Sequence, residues 1–75
     1  MLRNSNQSQF VKLDSSNLKQ VMYNEHSRTL QVHFHSGHKY IFHGVTPHEY
    51  TGLINAVSHG QYLAANFSNK SFTKT

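Results

Sequence analysis

The chain has no cysteine, a single proline and only three acidic residues in 75. Each shortage excludes something. Without cysteine there is neither a disulfide framework nor a thiolate metal site to reinforce a small fold. With Asp14, Glu25 and Glu49 as the whole stock of acids, a paired-carboxylate mechanism has no obvious pair. No glycine-rich phosphate loop and no nucleophile elbow is present, so the chain reads as non-enzymatic and without a cofactor. No run approaches the roughly 18 apolar residues of a membrane-spanning helix. The N-terminal stretch MLRNSNQSQ has no apolar signal-peptide core. The expectation is a cytoplasmic protein with no membrane partner.

What is present is basic and rich in histidine. Seven Lys and Arg residues give a net charge of +4, and seven histidines stand ready to add to it in mild acid. That balance favours acidic or polyanionic partners. The length allows one small domain, which buries only about 60% of its unfolded surface. With 36% hydrophobic residues, the core must be used efficiently or supplemented by association.

Residues 1–9 are polar and aperiodic and read as a disordered arm. Residues 10–68 read as the domain and residues 69–75 as a polar, flexible tail carrying Lys70 and Lys74, with Phe72 as one late anchor. In FVKLDSSNLKQVMY, Val21 and Tyr23 alternate as one face of a strand. Leu18 is out of step by one, which predicts a bulge near Lys19–Gln20. The leading segment Phe10–Leu13 is available to pair with a sheet edge, in cis or in trans. TLQVHFH is the cleanest strand: Leu30, Val32 and Phe34 point one way, Gln31, His33 and His35 the other. KYIFH continues the alternation with Tyr40 and Phe42 against Lys39, Ile41 and His43.

Parity restricts the connections. A two-residue loop at Ser36–Gly37 would put the two apolar sets on opposite faces, since a one-residue slip inverts every side chain. A three-residue loop, Ser36–His38, pairs Phe34 with Tyr40 and Val32 with Phe42, and sets Lys39 opposite His35. A four-residue turn, Glu25–Arg28, pairs Tyr23 with Leu30 and Val21 with Val32.

The second half is helical. In TPHE, Thr46 is an N-cap, Pro47 sits at N1 and Glu49 at N3 closes a capping box. Tyr50, Leu53, Ile54 and Val57 then recur at helical spacing. Gly52 weakens this helix by about 1 kcal/mol relative to alanine and suggests a close approach to the sheet. Ser58 and Gln61 open a second, shorter helix bearing Tyr62, Leu63 and Phe67. The expected fold is α+β: a three-stranded antiparallel meander, with an additional N-terminal strand as an option, packed on one face by two C-terminal helices.

The segment from Leu13 to Phe67 resembles the KTSC domain, named for its occurrence at the C-terminus of some lysyl-tRNA synthetases. The carriers are SSN at Ser15–Asn17, Tyr23 after an apolar residue, and the run Phe34, Ser36–Gly37, Tyr40 and Phe42. Gly44–Val45 and S-x-G-x-Y from Ser58 to Tyr62 complete the set. The family also occurs as small stand-alone proteins of bacteria and phages. The resemblance implies no established activity; it carries a suggestion of RNA binding through the synthetase association. Two departures weaken that suggestion here. The family's Y-x-Y is Tyr40-Ile41-Phe42, and the final helix ends AANFSNKSF, without arginine.

The candidate site is the sheet face left open by the helices, carrying Gln31, His33, His35, Lys39, Ile41 and His43. His38 stands at the hairpin tip, and Arg28 and His26 in the opposite turn. His33 and His35 leave one face about 6.5–7 Å apart, with His43 diagonally across. Zinc needs three or four nitrogen ligands at about 2 Å. Lys39 opposite His35, and the lack of a carboxylate to orient an imidazole, argue against a metal at His33, His35 and His43. Two readings remain. One is binding of RNA or another phosphate-bearing ligand through Lys39 and the histidines. The other is a protein-interaction or self-association module, for example a phage accessory protein that binds a host factor, using Ile41 on the open face or an edge strand. The strand aromatics fall on the covered face and read as core.

Overall fold

A computed structural model of the chain describes residues 9–75, so the expected arm lies outside the described residues except for Gln9. The elements are β1 (Val11–Lys12), β2 (Leu18–Asn24), β3 (Thr29–Phe34), β4 (Lys39–His43), α1 (Pro47–Asn55), α2 (His59–Phe67) and β5 (Phe72–Lys74). They form one five-stranded antiparallel sheet in the order β1-β2-β3-β4-β5, with the two helices in the connection from β4 to β5.

The alternation in β2 and β3 decides their pairing. Val21 faces Val32 and Tyr23 faces Leu30, as parity requires, and the register shifts between Leu18 and Gln20, where Leu18 falls out of step. The β2–β3 turn spans Glu25–Arg28, and Arg28 closes it in the left-handed region at φ 58°.

The β3–β4 hairpin differs from expectation by one loop position. The loop has three residues, but they are His35–Gly37: Phe34 N donates to His38 O at 2.9 Å, and Gly37 N donates to Phe34 O at 3.0 Å. A three-residue hairpin loop needs its positive-φ residue last, and Gly37, at φ 99°, is the residue that supplies it. The strands therefore slide by two residues, which keeps the faces and changes the neighbours. Val32 sits opposite Tyr40 and Leu30 opposite Phe42, while Lys39 sits opposite His33 rather than His35.

The helix start holds as read. Thr46 Oγ1 accepts from Glu49 N, and Glu49 Oε1 accepts from Thr46 N. The helix ends sooner than its periodicity suggests. Ala56 leaves helical geometry at ψ 146° so that Ser58 can cap α2, and Val57 is left fully exposed instead of extending the apolar stripe. Gly52 makes a close approach, but to α2 and not to the sheet: a Cβ there would overlap the Tyr62 hydroxyl.

Both edges extend the meander. The Phe10–Leu13 segment contributes β1 in cis, with Val11 opposite Val21 and Lys12 opposite Gln20. The segment read as a tail folds back as β5, with Phe42 opposite Phe72 and Ile41 opposite Thr73. Phe72 stacks on Tyr40 with ring centroids 5.2 Å apart and stands 5.9 Å from Phe42. Only Phe72 signals this strand in sequence, because Thr73 and Lys74 are polar residues of an edge.

Side chains from one sheet face and both helices make the core. Leu18, Val21, Leu30 and Val32 are fully buried with Val45 and Leu53, and Phe67 and Leu63 reach in from α2. Tyr23 is buried and donates its hydroxyl to Val45 O at 2.6 Å, which pins the β4–α1 connection to the sheet. No polar or charged residue is buried among the described residues. The helices take up one face, so whatever chemistry the molecule presents lies on the other face or at the margins.

Candidate functional site

The open face follows from strand parity. Residues alternating with the buried set project away from the helices. In antiparallel pairs, residues directly opposite one another share a face, on strands about 4.8 Å apart. The registers thus assemble cross-strand rows. One row is Lys12, Gln20, His33 and Lys39, running from β1 to β4. A second, two residues further along the strands, is Met22, Gln31, Ile41 and Thr73, from β2 to β5. A third contains Asn24, Thr29 and His43.

His33 is the centre of the first row. Gln20 Nε2 lies 3.2 Å from its Nδ1, and with the amide donating, the imidazole carries its proton on Nε2. The Phe10 ring leans on it with centroids 4.6 Å apart. Burial first, then the positive charges of Lys39 and Lys19, hold the His33 pKa below the usual histidine value. An uncharged imidazole between two lysines is the result at neutral pH.

The remaining predicted residues separate into those on this face and those elsewhere. Ile41 and His43 project from it, and His43 Nε2 meets Thr73 Oγ1 at 3.0 Å. His35 stands beyond the end of β3 and donates Nε2–H to Ser15 O at 2.9 Å, so it serves the β1–β2 connection. His38 is exposed beside the hairpin loop, its carbonyl closing the turn. Arg28 lies at the other end of the strands, and its carbonyl accepts from Val45 N at 2.9 Å. His33 and His43 are not diagonal neighbours: one is opposite Lys39, the other opposite Thr29, at opposite ends of the ladder. Among the described residues, no three His, Cys, Asp or Glu side chains gather closely enough to hold a metal ion.

Sequence reading missed Phe10, Lys12, Gln20 and Met22 as members of this face. Met22 was legible from its alternation with Val21 and Tyr23. Phe10 and Lys12 required knowing that β1 pairs in cis.

The acids are placed as tellingly as the bases. Glu49 is held by the α1 cap and by Lys70, 3.0 Å away. Asp14 borders a small polar hollow with Ser16, Ser58 and His59. Glu25 lines a cleft of about 440 Å³ on the helix side, between β1 and α1, with Val11, Tyr23, Pro47 and Tyr50. The three acids all sit away from the cross-strand rows.

Comparison with known proteins agrees with the architecture. The family model described as KTSC domain matches residues 14–72. The fold superimposes on the crystal structure of a KTSC domain protein from Yersinia pestis with a TM-score of 0.83 and 23% sequence identity, covering 89% of this chain and 96% of that one. No curated protein matches the sequence.

Proposed function

The chain belongs to the KTSC domain family, and from that premise we propose that it is a small, non-enzymatic binding module whose open sheet face takes RNA or another phosphate-bearing polyanion in the cytoplasm. One observation carries the reading. Lys12, His33 and Lys39 share a single cross-strand row on a face that holds none of the three carboxylates. Lysines aligned on a carboxylate-free surface attract phosphates and release their counterions.

The test is titration of a labelled single-stranded RNA, followed by fluorescence anisotropy at several salt concentrations. Two lysine–phosphate contacts on a single strand give a slope of log K against log salt of about −1.4. Lys39→Ala should halve that slope. Absence of binding at low salt refutes the reading.

A protein-binding or self-associating role is the second reading, favoured by Met22 and Ile41, which share a row on the same face. Light scattering of the protein alone addresses it. A dimer that Ile41→Lys dissolves would support that reading over the first.

A further inference from the structure

The open face has two lanes of different chemistry, and their spacing points to one kind of polyanion. The first lane is the row Lys12, Gln20, His33 and Lys39, cationic or hydrogen-bonding along its whole length. The second carries apolar side chains at two of its four positions. Met22 and Ile41 flank Gln31 on neighbouring strands, and both are partly buried while remaining on the open side. The aromatic ring of Phe10, 39% exposed, packs on His33 of the first lane with centroids 4.6 Å apart.

The lanes run across the strands and lie two residues apart along them, about 6.7 Å. That is of the order of the reach from a backbone phosphate across its sugar to its base. The charged lane spans four strands, or about 14 Å, room for a short run of phosphates. A free phosphate or an inorganic polyphosphate has nothing to set on the apolar lane. A duplex turns its bases inward and has nothing to set there either, whereas a single strand exposes both chemistries side by side.

We infer that the ligand of this face is a single-stranded polynucleotide laid across the strands, its phosphates on Lys12 and Lys39 and its bases over the Phe10 ring and the lane of Met22 and Ile41. This rests on the polyanion reading above and goes beyond it by naming the ligand's class and direction. Phe10 is the stacking platform. Its ring is already braced against an imidazole, so a base meets a supported aromatic surface without ordering a free side chain. Gln31, between Met22 and Ile41, is the one side chain of the apolar lane with amide groups to reach a base edge.

The experiment compares four labelled probes by anisotropy on the whole chain: a single-stranded RNA hexamer, the DNA hexamer of the same sequence, an abasic hexamer with the same phosphates, and an RNA duplex. The expected order is the two base-bearing single strands together, the abasic strand about tenfold weaker, and the duplex no tighter than the abasic strand. Phe10→Ala should bring the base-bearing strands down to the abasic affinity, while Lys39→Ala weakens all four alike. Ile41→Ser is a second variant on the same lane, expected to narrow the gap in the same direction.

Equal binding of the abasic and base-bearing strands overturns the two-lane inference while leaving polyanion binding intact. Tighter binding of the duplex overturns it too. If no probe binds, the inference and the reading beneath it fall together, and a dimer broken by Ile41→Lys would identify a protein as the occupant.

Discussion

Lys70 Nζ stands 3.0 Å from Glu49 Oε1 and donates to the Gly44 carbonyl at 3.1 Å, so one ammonium ties the segment after α2 to the start of α1. The Thr46 backbone amide first, and then Lys70, hold the Glu49 pKa below its ordinary value near 4.5, against an opposing push from burial. A carboxylate with a depressed folded-state pKa contributes stability that is present above the unfolded value and lost as pH falls through the folded one. Glu49→Gln should therefore cost about 1–2 kcal/mol at neutral pH and flatten the acid limb below about pH 4.5. Urea denaturation at pH 7 and at pH 3.5 checks both. An acid limb as steep in the variant as in the parent would count against this role.

At Gly52 two effects oppose each other. Alanine is the better helix former by about 1 kcal/mol, yet its Cβ would overlap the Tyr62 hydroxyl and stand 2.7 Å from Cζ. Tyr62 packs against the core, so the ring has to move and about 1–3 kcal/mol is lost to overpacking. Gly52→Ala should lower the melting temperature, and pairing it with Tyr62→Ala should remove the penalty that Gly52→Ala adds. A rise in melting temperature for the single variant would show that the ring swings away freely.

The final strand rests on few contacts. Phe72 stacks on Tyr40 and is 55% exposed, and β5 closes through His43 N to Ser71 O and Thr75 N to Lys39 O. Phe72→Ala should cost only about 1 kcal/mol globally. Its larger effect should be local: faster amide exchange at His43 and Thr75, with the β2–β3 ladder unchanged. Uniform acceleration across all strands would mean that β5 is integral to a single cooperative unit.

His33 gives a pH dependence of the opposite chemical type. Burial and the neighbouring lysines lower its pKa in the folded chain, so the unfolded chain binds more protons as pH falls through about 6.5. Stability contributed by this group therefore declines in that window. His33→Gln should flatten the decline between pH 7.5 and 5.5, read as melting temperature. Lys39→Ala should raise the imidazole's pKa, read by NMR titration. A His33 that titrates at the ordinary histidine value in the parent would remove the basis for both.

Much of this fold was legible because parity is unforgiving. Val21, Tyr23, Leu30 and Val32 had to share a face, and Thr46, Pro47 and Glu49 had to begin a helix. The hairpin register was not legible from alternation, since a slide of two residues preserves it. Only the need to place Gly37 last in the loop resolves it, and that is a matter of backbone conformation. Val57 fits the helical period and lies outside the helix because the following cap competes for the chain. β5 was illegible for a different reason. Its one apolar residue acquires meaning only when Tyr40 and Phe42 are seen beside it, and that proximity comes from chain return across two helices. The candidate face shared the fate of the strands that build it: its β3 and β4 members were readable, whereas Lys12 and Phe10 depended on a two-residue pairing with no periodicity of its own.

The strand order copies the chain order, and this has a use in handling the molecule. The first and last strands are opposite margins of the sheet, four strand spacings or about 19 Å apart. A tag or fused domain joined after Thr75 departs from the β5 margin and leaves the broad surface accessible. Immobilisation through that margin would hold the surface open to a probe. Joining Phe10 directly to Thr75, by contrast, would force a linker across one of the sheet's faces, so such a circularised form should either block the open side or crowd the helices.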